Sequence, residues 1–436
     1  MQKPLLAVLI SSALFSLNAQ AADLIQVYKQ ALANDATYAS ARANLAAGQE
    51  KSAQGLAGLL PTVTASGFNL KNDGEGAKDK VNYIDNKFSN GQWQVQLTQP
   101  LFRWANWEGY QQSKLAVSAS EAQFAQQQQD LILRVAQAYF DVLTAQDNLT
   151  ATQAQKAATT EQLASAKRNF EVGTQTITDT HEAQAAYDLV VAQEFAAVND
   201  LEVKRTALQQ IIGSVPGELA TLRTGVTIAS PQPATLEPWV SAAEDQNYGV
   251  QGARLNLEIA KREIGRQRAG HMPTLDLIAN STRTTNTVPY GGINKNNAIG
   301  VNWSIPIFNG FGVTSKVREA ISLEDKARND LEASRRLAAQ TARQAFLGVN
   351  SGLAQVKALE AAEVSSKSAL ESNKLGYQVG VRINIDVLNA QRQLYTTQKD
   401  LAKARYDAIM NGLRLKSAAG SLKETDLEPI NALLVH

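Results

Sequence analysis

The sequence contains no cysteine among its 436 residues. That excludes disulfides, thiolate nucleophiles, Cys-ligated metals and a lipid-modified N-terminal Cys. Histidine is nearly missing too: His181, His271 and His436 lie far apart and share no metal-ligand spacing. A phosphate-cradling Gly-rich loop with its Lys is lacking, as is a G-x-S-x-G nucleophile turn. The chain is therefore expected to be no enzyme and to carry no cofactor or metal, so that any transport through it is driven by a partner. Neither sign of charge dominates, with 42 Lys plus Arg against 41 Asp plus Glu, which argues against nucleic acid as a partner. Aromatics make up only 6%; with abundant Ala and Gln, this suits long helices with thin seams better than a thick globular core.

Long apolar runs are also scarce. Residues 5–17 form one, preceded by Lys3 and followed by Ala19-Gln20-Ala21, the pattern of a cleaved export signal. Residues 1–21 are expected to be a signal peptide and Ala22 the first mature residue. The run is too short to cross a bilayer, and no other stretch approaches ~18 apolar residues. A membrane role then requires a β-barrel, the other architecture that satisfies every backbone group in lipid.

What the sequence does have is a repeat. Phe170-Glu171-Val172-Gly173 through Ile177-Thr178-Asp179 recurs as Tyr377-Gln378-Val379-Gly380 through Asn384-Ile385-Asp386, at an offset of 207 residues. Gln137-Ala138-Tyr139 matches Gln344-Ala345-Phe346 at the same offset, Pro100-Leu101-Phe102 matches Pro306-Ile307-Phe308 at 206, and Leu60-Pro61-Thr62 matches Met272-Pro273-Thr274 at 212. A near-constant offset marks a tandem duplication. The expected organisation is a first structural repeat over residues 22–230, a second over 231–420, and a tail over 421–436, with an irregular, Pro-containing connector at 213–238 and a tail that looks similar.

Each half reads as a helix of modest length ending near Gly58 or Gly270, a hairpin, and two long helices. The hairpins are expected at about residues 61–100 and 273–306, opened by Pro61 and Pro273 and ended by Pro100 and Pro306, positions where a missing N–H costs little. Trp93, Val95 and Leu97 alternate with Gln92, Gln94, Gln96 and Thr98; Ile299, Val301, Trp303 and Ile305 alternate with Gly300, Asn302 and Ser304. Period two gives one apolar and one polar face. The outgoing strands are weaker, and Val63, Ala65, Phe68 and Leu70 break phase near Gly67. Residues 71–90 and 284–297 read as polar loops. Neither Gly nor Pro occurs in 110–172, in 174–212 or between Val381 and Asn411, and sixty-odd helical residues span roughly 90 Å at ~1.5 Å each. Leu131, Val135, Ala138, Val142, Ala145 and Leu149, with Ala338, Ala342, Ala345, Val349, Gly352, Val356 and Leu359 in the second half, mark heptad-like seams of mostly small residues.

One chain supplies four strands, and four strands leave two edges bare in lipid. The barrel must be shared. Two chains give eight strands, a number whose interior side chains fill; a conducting pore favours three chains and twelve strands. Trp93, Trp104, Trp107 and Trp303 sit where an interfacial aromatic belt would lie. The fold class is thus mixed α+β: a long α-helical barrel plus four β-strands per protomer, contributing to a shared 12-stranded transmembrane β-barrel.

These motifs resemble the TolC family of outer-membrane efflux proteins over essentially the whole mature chain. The most specific is Tyr377-Gln378-Val379-Gly380-Val381-Arg382-Ile383-Asn384-Ile385-Asp386 with Asn389-Ala390-Gln391, supported by its first-half partner and by the Pro100 and Pro306 junctions. The resemblance implies a homotrimer in the outer membrane of a Gram-negative bacterium, in contact with outer-membrane lipid and with a large periplasmic part. It also implies a periplasmic adaptor (membrane fusion) protein, and an inner-membrane ABC or proton-driven transporter, for which the chain is a passive exit duct in efflux or type I secretion. It places Tyr377 and Arg382 at a periplasmic gate with Thr178 and Asp179 as their acceptors, and Asp386 in an acidic constriction ring able to bind divalent cations. Asn389 stands where a second acidic ring is expected, implying weaker cation selectivity. The residues alone also fit helix capping: Asp179 with Glu182 makes a D-x-x-E box, and Gly173 and Gly380 suit helix C-termini. A competing reading is a structural trimeric stalk or adhesin without transport activity; two hairpins embedded between long helices disfavour it.

Overall fold

A computed structural model describes residues 21–73, 75–77, 83–85, 88–223, 225–286 and 292–435. The expected signal peptide lies, except for Ala21, outside them. In chain order the elements are α1 Leu24–Asn34, α2 Ala36–Ala57, β1 Thr62–Asn72, β2 Glu75–Ala77, β3 Tyr83–Asp85, β4 Phe88–Phe102, α3 Trp104–Glu171 and α4 Ile177–Ile212. There follow α5 Glu237–Gln246, α6 Tyr248–Arg268, β5 Thr274–Asn286, β6 Ile293–Ser304, α7 Gly312–Gln378, α8 Asn384–Ala418 and α9 Glu428–Asn431.

The modest first helix of each half is in fact two helices. Asp35 leaves the helical region at ψ 116° and caps α2 by accepting from the Tyr38 N–H at 2.6 Å. Arg134 of α3 holds the same buried carboxylate with two hydrogen bonds of 3.0 Å. Asn247 divides α5 from α6 in the same way, accepting from the Gly249 N–H at 2.9 Å. A polar residue that caps the following helix offers the backbone an alternative to continuing the preceding one.

β1, β4, β5 and β6 form one antiparallel sheet in the order β1-β4-β5-β6. The strands run into the expected loops. β1 and β4 stay paired up to Asn72 and Phe88, and β5 and β6 up to Thr285 and Ile293, within stretches expected to be loops. Pro100 does not end β4: pairing with β5 shifts between Pro100 and Phe102 and then resumes, because the lost N–H is absorbed as an irregularity. Just beyond, Arg103 clamps the buried carboxylate of Asp276 on β5 through Nε at 2.7 Å and Nη2 at 2.6 Å, tying the first-half strand-to-helix junction to the second-half hairpin. The outer strands, β1 and β6, are exposed along nearly their whole length.

α3 and α7 have 68 and 67 residues, about 100 Å each at ~1.5 Å per residue. The expected seams are buried at Leu131, Val135, Val142, Ala145 and Leu149 in α3 and at Ala338, Ala342, Val349 and Val356 in α7; Ala138, Ala345, Gly352 and Leu359 are half-buried. The main core lies midway along the helices, around Tyr139 and Phe140. There the Tyr139 hydroxyl donates to the Ala220 carbonyl of the connector at 2.7 Å, and the Tyr406 hydroxyl of α8 donates to Asp147 of α3 at 2.7 Å. Nearer the sheet, α6 packs on α3: Gln112 reaches Glu263 at 2.8 Å and Arg262 reaches the buried Glu108 at 3.4 Å. Burial opposes the charge on Glu263, yet hydrogen bonds from Arg266, Gln112 and Gln267 outweigh it and hold the carboxyl down to about 2.

Among its described residues the connector has no helix from Gly213 to Leu236, as expected. The tail differs from its expected irregularity. It makes a 3-10 turn and α9, buries Leu422, Leu427 and Leu434, and joins Leu222 of the connector through Leu434. Gln129 of α3 donates to Leu422 O at 3.1 Å, and Asn431 donates to Asp23 at 3.1 Å.

Candidate gate at the helical tip

The far ends of the long helices form two helix hairpins, α3–α4 and α7–α8, joined by short turns. Each first helix ends on a left-handed glycine, Gly173 at φ 76° and Gly380 at φ 78°. The Thr174 N–H returns to Asn169 O at 2.9 Å, and the Val381 N–H to Gly376 O at 2.9 Å, closing each end as a Schellman-type cap. A side chain at either glycine would be strained, as expected from the two V-G motifs.

α4 opens on Thr176, not Asp179. The Thr176 hydroxyl accepts from the Asp179 N–H at 3.3 Å, while the Asp179 carboxylate accepts from the Thr176 N–H at 3.0 Å and hydroxyl at 2.8 Å. The D-x-x-E box with Glu182 is thereby corrected: the capping pair sits three residues earlier, and the Asp179 side chain is its closing member. Arg382 pairs with Asp386, one turn along at the start of α8, at 3.7 Å, rather than with the expected acceptor Asp179. Thr178 is exposed beside it, and Asn389, also exposed, accepts from Arg392 at 2.9 Å. Tyr377 does link the two hairpins, its hydroxyl accepting from the Gln175 amide.

Two further residues complete the tip. Asn384, fully buried, accepts from Gln162 of α3 at 2.6 Å and donates to the Asp179 carbonyl of α4 at 3.0 Å. One side chain of α8 thus bridges both helices of the other hairpin. Gly376 lies against the Arg382 stem: a Cβ there would meet Arg382 Cγ at 2.7 Å. The sequence signal for both was available, an Asn opening a helix and a Gly inside the last turn of a long one. Beneath them, Leu163, Ala166 and Ala183 pack in one hairpin and Leu370, Val387 and Leu394 in the other. Gln175 Oε1, Thr180 Oγ1 and Gln391 Oε1 are buried without a hydrogen-bond partner among the described residues. The tip is a small polar cluster, held by a few hydrogen bonds and one half-exposed ion pair, above two separate apolar clusters, one in each hairpin.

Comparison with known proteins fixes what this framework belongs to. The sequence profile of the family described as Outer membrane efflux protein matches residues 27–214 and 239–421. The chain belongs to the outer membrane efflux protein family. It is 34% identical over 445 residues to the outer membrane protein TolC of Vibrio cholerae serotype O1, covering 99% of this chain and 98% of that one. It is 30% identical over 427 residues to the proteases secretion protein PrtF of Dickeya chrysanthemi, covering 95% and 92%. In fold it is similar to the CmeC outer membrane channel of Campylobacter jejuni, with a TM-score of 0.80 at 18% identity and coverage of 94% and 89%. As an outer membrane efflux protein, the chain is an exit duct of the outer membrane.

Proposed function

We propose that three copies of this chain pool their four-stranded sheets into one twelve-stranded transmembrane barrel, continued by a tunnel of long helices through the periplasm. Two tandem structural repeats per chain then supply six quasi-equivalent hairpins. The observation that carries this reading is the sheet with two bare edges. β1 and β6 are unpaired on their outer sides among the described residues, and bare edges are not viable in lipid.

The sheet's apolar face supports it. Register places Val63, Leu97, Ala279 and Ile299 in one row, flanked by Trp93 towards one end and by Leu275 and Trp303 towards the other. From Trp93 to Phe102, opposite Leu275, β4 rises ~30 Å at ~3.3 Å per residue, or ~23 Å when tilted by ~40°. That is the height of the apolar band of an outer-membrane barrel. Apolar side chains left open along the helices, Leu189, Phe195 and Val198 on α4 and Leu337, Leu347, Val364 and Leu375 on α7, are surfaces for neighbouring protomers to cover.

The duct is passive. A periplasmic adaptor docks on the helical part and an inner-membrane ABC or proton-driven transporter supplies cargo and energy, in drug efflux or in type I secretion as the PrtF likeness suggests. The tip lock around Tyr377, Arg382, Asp179 and Asn384 closes the periplasmic entrance, and Thr178 beside it receives Arg382 or Tyr377 when neighbouring hairpins rearrange. Three Asp386 carboxylates line the constriction and favour cations, with Asn389 giving no second acidic ring. Purified protein in planar bilayers tests this: discrete, cation-selective single channels from heat-modifiable trimers are expected, and bilayers that stay silent would refute it.

A further inference from the structure

The two halves share contacts as well as motifs, at fixed offsets. Asp35 and Asn247, which cap α2 and α6, stand 212 residues apart. Thr62 opposite Thr98 in the first hairpin corresponds, at 212 and 206 residues, to Thr274 opposite Ser304 in the second. A side chain at Gly58 would meet Asn106, and one at Gly270 would meet Val313, at offsets of 212 and 207. One seam has no counterpart inside the protomer: the one where β4 and α3 meet β5 and α6. Its counterparts are β6 with α7 and β1 with α2. These are the two edges of the sheet and the two ends of the helix layer α2-α3-α6-α7.

Those edges carry matching chemistry. β4, with β5 beside it, runs to Phe102, whereas β6, bare on its outer side, stops at Ser304. Ser304 corresponds to Thr98, so β6 ends four residues sooner. Ile305, Ile307 and Phe308, which follow it, are exposed, Ile307 almost completely. On the other edge β1 carries Asn69 and Lys71 where β5 carries Ser281 and Arg283, so it offers an incoming strand the same order of polar and basic side chains. In the helices, Gln112 of α3 reaches Glu263 of α6 at 2.8 Å, and Arg262 reaches Glu108. The counterparts of Gln112 and Glu263 are Glu319 and Lys51, which are opposite in charge and both exposed. Neither forms an ion pair within the protomer among the described residues. The counterparts of Arg262 and Glu108 are Glu50 and Ser315, an acceptor and a hydroxyl donor.

We propose that neighbouring protomers join by copying the internal seam. β6 of one protomer adds antiparallel to β1 of the next, with Val301 opposite Asn69, Trp303 opposite Gly67 and Phe308 opposite Val63. In the same contact Glu319 of α7 pairs with Lys51 of α2 in the next protomer. This deepens the shared-barrel reading given above and rests on it. Pairing supplies the ladder that β6 lacks beyond Ser304 and covers the apolar residues after it. Trp303 fills the room left by Gly67, as an aromatic beside a strand glycine does. Because the edge of one copy fits the opposite edge of the next, the contact is head-to-tail, and repeated it closes a ring.

The absence of cysteine makes the test clean. Full-length chains carrying Val301→Cys with Asn69→Cys are oxidised in outer membranes with copper phenanthroline and run without reductant. Residues directly opposite in a ladder lie close enough for a disulfide, while those two positions further along do not. Covalent dimers and trimers are expected from this pair, and none from either single variant or from Val301→Cys with Lys71→Cys. Should the strand pair fail to assemble, Glu319→Cys with Lys51→Cys and a short bismaleimide carries the same expectation. Glu319→Lys should lower the temperature at which heat-modifiable trimers dissociate, and adding Lys51→Glu should restore it. Heat-modifiable trimers that do not crosslink at these pairs, or that crosslink through Lys71→Cys instead, overturn the register while leaving the barrel intact. Absence of trimers in the unmodified chain overturns the barrel itself.

Discussion

Asn384 donates its amide to the backbone carbonyl of Asp179 at 3.0 Å, and this one bond joins the inner turn of one helix hairpin to the first turn of the other. Its Oδ1 is occupied as well, by Gln162 at 2.6 Å. Replacing Asn384 with Ala leaves the half-buried Gln162 amide and Asp179 carbonyl without these partners, each at a cost below the ~1–3 kcal/mol of a fully buried group, and it does so in every protomer. Asn384→Ala channels are expected to open more often and for longer in planar bilayers. Unchanged opening would remove Asn384 from the lock.

Arg382 and Asp386 form a partly exposed pair, worth about 1 kcal/mol or less on its own. Its larger effect is on permeation. Asp386→Ala deletes the proposed acidic ring and leaves Arg382 uncompensated, so the reversal potential in a salt gradient should move towards anion selectivity and block by divalent cations should weaken. Asn389→Asp should shift both the other way. Identical reversal potentials in the three proteins would show that neither position faces the conduction path.

Arg103 is the sole charged partner of the buried Asp276 among the described residues. Arg103→Ala strands that carboxylate, at a cost of ~3–5 kcal/mol for a fully buried pair and less here because Arg103 is half-exposed. The temperature at which heat-modifiable trimers dissociate should fall. Adding Asp276→Asn should recover much of the loss, since the double variant buries no unpaired charge. Failure of the second substitution to rescue would mean that Arg103 acts by packing alone.

Glu263 is held at about 2 by Arg266, Gln112 and Gln267. A carboxyl whose folded value is depressed adds stability above its unfolded value near 4.5 and loses it as pH falls towards 2. Trimer stability should therefore decline in this window, and Glu263→Gln should flatten the decline. An identical acid profile for the variant would place the acid-sensitive contact elsewhere.

Much of the fold is legible because Gly and Pro punctuate it. Pro61 and Pro273 precede their strands, Gly173 and Gly380 end their helices, and the Gly- and Pro-free stretches are the long helices. Other features depend on partners far away in sequence. The break at Asp35 is fixed by Arg134, and the order of the tail by Gln129 and Asp23, which no local pattern reveals. The strands run past their expected ends because polar residues pair in a ladder as well as apolar ones do. At the tip, the repeated motif marks the turns at Gly173 and Gly380 and the family resemblance points to Tyr377, Arg382 and Asp386, whereas neither gives how the contacts are divided among them. Thr176 takes the Asp179 carboxylate, so Arg382 turns to Asp386, and the bridge between hairpins passes to Asn384.

The most direct test of the account is the mass of the assembly in the membrane. Mature protein extracted from outer membranes and measured by native mass spectrometry before and after heating should give a particle of three chains that collapses to one. A stable single chain in the unheated sample, or recovery of the protein as a water-soluble monomer, would contradict it.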